Sequence, residues 1–414
     1  MNFSLRFKLS FMMFFEYFIK GAWFVTLGTY LTHNLQASGF EIANIFSTHS
    51  LGAVAAPFFI GLIADKYFNA EKLLGVLHLF GALLLFLMYR SDSAADFYPY
   101  VLAYFIAYMS SLALSNAICF RHLAEPRKQF PAIRVWGTVG WIIAGIAISY
   151  VFHWDKSEAI AAGALKKTFL LGCFSSLLLA IFSFTLPQTP PVNTGIRAKN
   201  DVLSLLGFDA LGLLKQKDFL IFFVSAILIC IPLAFYYQNA NPFLTAVGLS
   251  NPTAKMALGQ FSEALCLLFI PFFFAKLGYK KTILVGIAAW VIRYLLFAYG
   301  DAGSLSFMFI TAILLHGVCY DFLFVVGQIY TDTIAGERYR SSAQGLVTIA
   351  MYGIGMLIGF WVAGFIAEYL KVQQVVNFWK YLWISPAIIA AVVFVLFLVF
   401  FKDQRLQKER ADVS

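Results

Sequence analysis

Leu305-Ser-Phe-Met-Phe-Ile-Thr-Ala-Ile-Leu-Leu-His316-Gly-Val-Cys-Tyr320-Asp321-Phe-Leu-Phe-Val-Val-Gly-Gln-Ile329 carries one charged side chain, Asp321, in an otherwise almost continuous apolar run. A hydrocarbon core about 30 Å thick is crossed by about 20 helical residues, so this stretch is long enough to span a bilayer once. Backbone N–H and C=O groups find no water there, which restricts spanning segments to helices and closed barrels. A barrel would show segments of about 10 residues alternating in polarity, and that pattern is missing here.

Reading outward from this run gives the same picture across the 414 residues, which are 61% hydrophobic and 12% charged with a mean hydropathy of +0.79. Apolar runs recur at about Leu9–Leu31, Asn44–Ala64, Leu73–Tyr89, Tyr98–Phe120, Pro131–Phe152 and Thr168–Phe184. A second set follows at Phe219–Tyr237, Thr253–Phe274, Thr282–Tyr299, Leu305–Ile329, Ser342–Ala367 and Tyr381–Phe401. The sequence therefore predicts an all-α membrane protein of twelve transmembrane helices in two bundles of six. The expected division is an N-terminal six-helix bundle over 1–186, a cytoplasmic linker over 187–218, a C-terminal bundle over 219–401 and a cytoplasmic tail over 402–414.

Most of the 30 Lys and Arg residues fall in the segments that share a side with the N-terminus, as in Arg127, Lys128, Lys280, Lys281, Arg338 and Arg340. Basic residues accumulate in cytoplasmic loops, so both termini are expected inside. The net charge of +9 is this loop bias plus the tail, and it gives no support for a nucleic-acid partner. The first run holds Glu16 and Lys20 and is too long and too polar for a cleaved signal peptide. Together with the absence of loop cysteines, this fits a bacterial inner (cytoplasmic) membrane. The five cysteines sit singly in apolar runs, and no metal or other cofactor is implied. The six histidines are dispersed, so no clustered catalytic apparatus points to an enzyme. No Gly-x-x-x-x-Gly-Lys-Ser/Thr phosphate loop is present, which argues against an ATP-driven pump.

Each ionisable group inside a span needs a reason, because insertion costs about 2.5–3.5 kcal/mol per charge. Glu16 and Lys20 are four apart and share a helix face; they form either a mutually neutralising pair or, with Glu16 in a cavity wall, a functional one. Arg134, Thr138 and Trp141, at i, i+4 and i+7, form one stripe suited to a hydroxylated, ring-bearing solute. Gln260 and Glu263 share a face of the eighth run, and His316, Tyr320 and Asp321 cluster in the tenth. Glu263 and Asp321 are the candidates to carry a proton. Arg293 reads as a snorkelling or paired structural charge. Tyr236-Tyr237-Gln238-Asn239-Ala-Asn241 is a polar cluster near the outer end of the seventh run.

The two halves echo each other: Gly61-Leu-Ile-Ala-Asp65-Lys66 answers Ala275-Lys276-Leu-Gly278-Tyr-Lys280-Lys281, and Arg134-Val-Trp-Gly137 answers Arg340-Ser-Ser-Ala-Gln-Gly345. Parallel repeats about a midplane site are a transporter plan. With Gly21-Ala-Trp23, Thr26-Leu-Gly28, Ile133-Arg134-Val-Trp136-Gly137-Thr138, Gly259-Gln260-Phe-Ser-Glu263, Ile270-Pro-Phe-Phe273, Phe297-Ala-Tyr-Gly-Asp301 and Ser342-Ala-Gln-Gly345, the chain resembles the nucleoside:proton symporter family of the major facilitator superfamily. The resemblance implies proton-coupled nucleoside import by alternating access, with nucleoside and proton as ligands, the lipid bilayer as surroundings and a monomer as the unit. It also implies substrate contacts at Arg134, Thr138, Trp141, Gln260, Glu263, Tyr320 and Asp321. His316 stands where the family usually has tyrosine, and the Glu16/Lys20 charges have no family counterpart. The family's base-reading amides align with Ala234 and Tyr237, so either Gln238 and Asn239 take over or the base differs. A sugar or free nucleobase is the competing solute class.

Overall fold

The computed structural model describes residues 3–59, 68–191 and 207–402, and over these it is helical with no strand. The Gly61–Lys66 motif, the middle of the expected linker with Arg197 and Lys199, and the tail beyond Lys402 lie outside the described residues. The helices are α1 (Phe3–Phe24), α2 (Leu27–His33), α3 (Gly39–Phe59), α4 (Ala70–Arg90), α5 (Ala94–His122), α6 (Pro126–Ile146) and α7 (Lys167–Ser183). They continue with α8 (Lys217–Ala246), α9 (Pro252–Tyr299), α10 (Ser306–Tyr320), α11 (Val326–Thr348), α12 (Met356–Val372) and α13 (Phe378–Phe400).

Local chemistry sets several of these ends. Ser93 caps α5 by accepting from the Asp96 N–H at 3.1 Å while its hydroxyl donates to the Asp96 carboxylate at 2.7 Å, which satisfies one of the helix's free N–H groups. Pro126 opens α6, where its missing N–H has no intrahelical partner to lose. Gly278 and Gly336 take φ of 67° and 62° with ψ near 180°, a region open in practice only to glycine. They turn the chain between the eighth and ninth runs, both inside α9, and between the tenth and eleventh.

Nine described helical stretches are long and apolar enough to cross a membrane, and the 48-residue Pro252–Tyr299 stretch contains two of the sequence runs. α1 is not among the nine, since Arg6, Lys8, Glu16 and Lys20 put too much charge in it. α3, with Asn44, Ser47, Thr48, His49 and Ser50, is also outside that set.

The contacts gather the chain into two compact units. The first comprises Met1–Val202, Tyr237–Gln260 and Ala363–Glu368; the second comprises Leu203–Tyr236, Phe261–Val362 and Tyr369–Ser414. In the first, α1 packs on α6 and α7, α4 on α5 and α7, and α3 on α5. Lipid tails are as apolar as leucine, so close packing of small residues has to bind these helices. A side chain on Gly140 would strike the Phe14 carbonyl, and one on Gly137 the Tyr17 ring. We expect Gly140→Val to cost about 1–3 kcal/mol by overpacking, seen as a lower unfolding temperature in detergent.

Side-chain hydrogen bonds also tie the later segments of the first unit to its earlier helices. Thr29 donates to Asn241 Oδ1 at 2.5 Å, and Asn241 donates to Thr253 Oγ1 at 3.3 Å. Asp155 accepts from the Thr253 N–H at 3.2 Å, and Ser149 from the Ala254 N–H at 2.9 Å. The Gly39 N–H donates to Glu368 at 2.7 Å. In the second unit Trp290, Tyr294 and Trp383 are buried, with Tyr294 stacked on Trp383 at 5.6 Å. Here the helical path widens to a π-turn over Asp321–Val325 and again over Ile349–Gly355, a distortion common at functional positions.

Candidate functional site

In the first unit α1 and α6 lay two stripes side by side. Arg134 sets its guanidinium on the Tyr17 ring, 3.9 Å from the centroid, and Trp141 packs against Gly21. Arg134, Thr138 and Trp141 are all half-buried, as the helical period of that stripe predicts.

Glu16 and Lys20 do not pair. Glu16 is fully buried and is held from three sides: Ser111 donates to its Oε1 at 2.7 Å, Ser115 to its Oε2 at 2.8 Å, and His78 Nε2 lies 3.0 Å from Oε2. Tyr108 donates to its backbone carbonyl at 3.0 Å. Several fixed donors on α4 and α5 satisfy a buried carboxylate better than one flexible ammonium, which is why the shared helix face does not decide the pairing. Ser176 spends its proton on the His78 carbonyl at 2.7 Å. Its oxygen lies 3.3 Å from His78 Nδ1 and can accept from the ring. Lys20 instead reaches His49 Nε2 at 3.0 Å.

The same unit holds the end of the seventh run. Tyr237 is half-buried, with its ring 6.0 Å from Phe24. Gln238 is 2% exposed and its Oε1 has no hydrogen-bond partner among the described residues; its backbone carbonyl abuts Gly28. Asn239 is buried, and Gln260 is half-buried on α9.

In the second unit the sequence candidates gain partners that spacing did not suggest. Arg293 is fully buried, donates from Nη1 to His316 Nδ1 at 2.9 Å, and lies 3.7 Å from the centroid of the Tyr236 ring. A guanidinium only donates, so His316 Nδ1 accepts and the ring hydrogen sits on Nε2. That nitrogen faces Glu263 Oε2 at 3.8 Å. His316 is thus a bridge between Arg293 and Glu263, and Arg293 is paired rather than snorkelling. Glu263 is 30% exposed, so it is the accessible end of this chain of groups. Asp321 opens the π-turn, is fully buried, and neither carboxylate oxygen has a hydrogen-bond partner among the described residues. The Tyr320 hydroxyl bonds that of Tyr352. His49, His78, Tyr236 and Tyr352 were not singled out from sequence as partners; the polar His49 and His78 inside apolar runs were the available signal.

The sequence matches the Nucleoside H+ symporter family over residues 1–406. It is 41% identical over 407 residues to YegT of Escherichia coli (strain K12), a protein named for nucleoside transport, covering 96% of this chain and 93% of that one. It is 31% identical over 429 residues to the xanthosine permease of the same organism, covering 99% of each. The crystal structure of the nucleoside transporter NupG superposes with a TM-score of 0.85 at 28% identity, covering 97% of this chain and all of that one. With described residues that are all helical, helices long and apolar enough to cross a membrane and a match over nearly its whole length, this chain belongs to the nucleoside H+ symporter family of multi-pass membrane transporters and is not an enzyme.

Proposed function

We propose that the chain imports a nucleoside with a proton across a bacterial inner membrane, both termini facing the cytoplasm, by alternating access of its two six-helix halves joined through 187–218. Its solute contacts are Arg134, Thr138, Trp141, Tyr237, Gln238 and Gln260 in the first unit, and Glu263, His316, Tyr320 and Asp321 in the second. Arg134 and Thr138 suit ribose oxygens, and Trp141 offers a flat face to a base. The observation that carries the proton half of this reading is Asp321, buried with neither oxygen hydrogen-bonded among the described residues. A charge in hydrocarbon costs about 2.5–3.5 kcal/mol, and a bound proton removes it. Glu263, tethered through His316 to Arg293, is the second acid.

The test is uptake into proteoliposomes with uridine, inosine, adenosine, xanthosine, free bases and sugars, with and without an inward proton gradient. At least one nucleoside should accumulate above its external concentration only when the gradient is present. Accumulation of a sugar or free base with no nucleoside uptake would replace this reading.

A further inference from the structure

The Lys20 ammonium projects into a box of rings. Its Nζ lies 4.8 Å from the centroid of Phe24, 5.6 Å from Tyr108, 5.8 Å from Phe105 and 6.0 Å from Trp141. Its one hydrogen-bond partner among the described residues is His49 Nε2, and no carboxylate lies within ion-pair distance of it among them. An ammonium only donates, so His49 Nε2 accepts and the ring hydrogen is on Nδ1. That Nδ1 is itself buried and without a hydrogen-bond partner among the described residues, on a side chain 6% exposed. The group therefore holds surplus donors, which are costly to leave unpaired when buried. Lys20 is half-buried and sits on the α1 face that runs beside Arg134, Thr138 and Trp141, with Gly21 against Trp141 and Tyr17 against Arg134.

We propose that Lys20, steadied by His49, is a specificity-determining subsite that donates to a ring carbonyl of the solute's base, with Phe24, Phe105, Tyr108 and Trp141 as its aromatic walls. The proposal rests on the nucleoside reading above. An amine of this kind rewards an oxo group and gains nothing from an exocyclic amine, which presents donors to a donor. Inosine and adenosine differ in this way, carrying oxygen and an amino group respectively at the same carbon of the purine. Sites built to hydrogen-bond a substrate group reject the analogue lacking it strongly, because their own buried polar atoms are then stranded.

The experiment compares KM and kcat for inosine and adenosine in proteoliposomes of the full chain and of Lys20→Met, Lys20→Arg and His49→Phe. The unaltered protein should take inosine with a KM at least tenfold below that for adenosine. Lys20→Met should bring the two within about twofold by raising the inosine KM alone, and Lys20→Arg should keep the preference. His49→Phe should weaken the preference without moving the adenosine KM. Equal or reversed preference in the unaltered protein overturns the proposal even if no variant folds, as does a Lys20→Met change that is the same for both nucleosides. Absence of uptake for every nucleoside overturns the underlying reading as well.

Discussion

Asp321→Asn is expected to lower proton-driven accumulation about a hundredfold while lowering exchange of labelled for unlabelled nucleoside across the same membrane far less. The side chain sits at the first residue of the π-turn, fully buried, with neither oxygen hydrogen-bonded among the described residues. An ionised carboxylate there carries the insertion cost of about 2.5–3.5 kcal/mol, equivalent to about two orders of magnitude in occupancy. Asparagine has nearly the same shape and no charge in any step of the cycle, so it should mimic the protonated acid permanently. Binding and rocking can continue, but the link to the proton gradient is lost. Glu263→Gln is the control: its carboxylate is partly exposed and faces His316, so its loss should raise the nucleoside KM more than it weakens coupling. Normal accumulation by Asp321→Asn, with coupling lost in Glu263→Gln, would assign the proton to Glu263 instead.

The second large effect is structural. Glu16→Ala removes the partner of Ser111, Ser115 and His78 at once and leaves buried polar side chains unpaired among α1, α4 and α5. Breaking one side of a buried pair costs about 3–5 kcal/mol, enough to unfold much of a marginally stable protein. Detergent-solubilised Glu16→Ala should aggregate at a temperature where the unaltered protein stays monodisperse by size exclusion. Glu16→Leu combined with His78→Leu should recover most of that stability, because neither polar side chain of the pair is then stranded. A double variant as unstable as the single would show that the serine contacts, rather than the bond to His78, carry the effect.

Much of the architecture was legible because period and length are properties of single segments. The runs that became α3 to α8 needed no tertiary information, and the stripe Arg134, Thr138, Trp141 came directly from helical spacing. The partners of the charged residues were not legible. Spacing offered Lys20 to Glu16, yet Glu16 bonds His78, 62 residues away, and Lys20 bonds His49, 29 residues away. Such choices depend on which neighbouring helix presents a fixed donor, and one helix's periodicity does not contain that. Arg293 shows the same limit: its isolation suggested pairing, but the identity of His316 as its partner, 23 residues on, required the fold. The breaks at Gly278 and Gly336 fall between separate apolar runs and were legible; that helix continues right up to each glycine on both sides, rather than giving way to a loop, was not.

The bonds from Thr29 to Asn241 and from Gly39 to Glu368 join positions 212 and 329 residues apart. A ribosome delivers Thr29 and Gly39 long before it delivers either acceptor, so the first unit must wait in the membrane, incompletely bonded, until most of the chain has been inserted. A fragment ending at the 187–218 segment would contain α1 to α7 but lack Asn241, Thr253 and Glu368, and would keep those ends permanently in the state of an unfinished nascent chain.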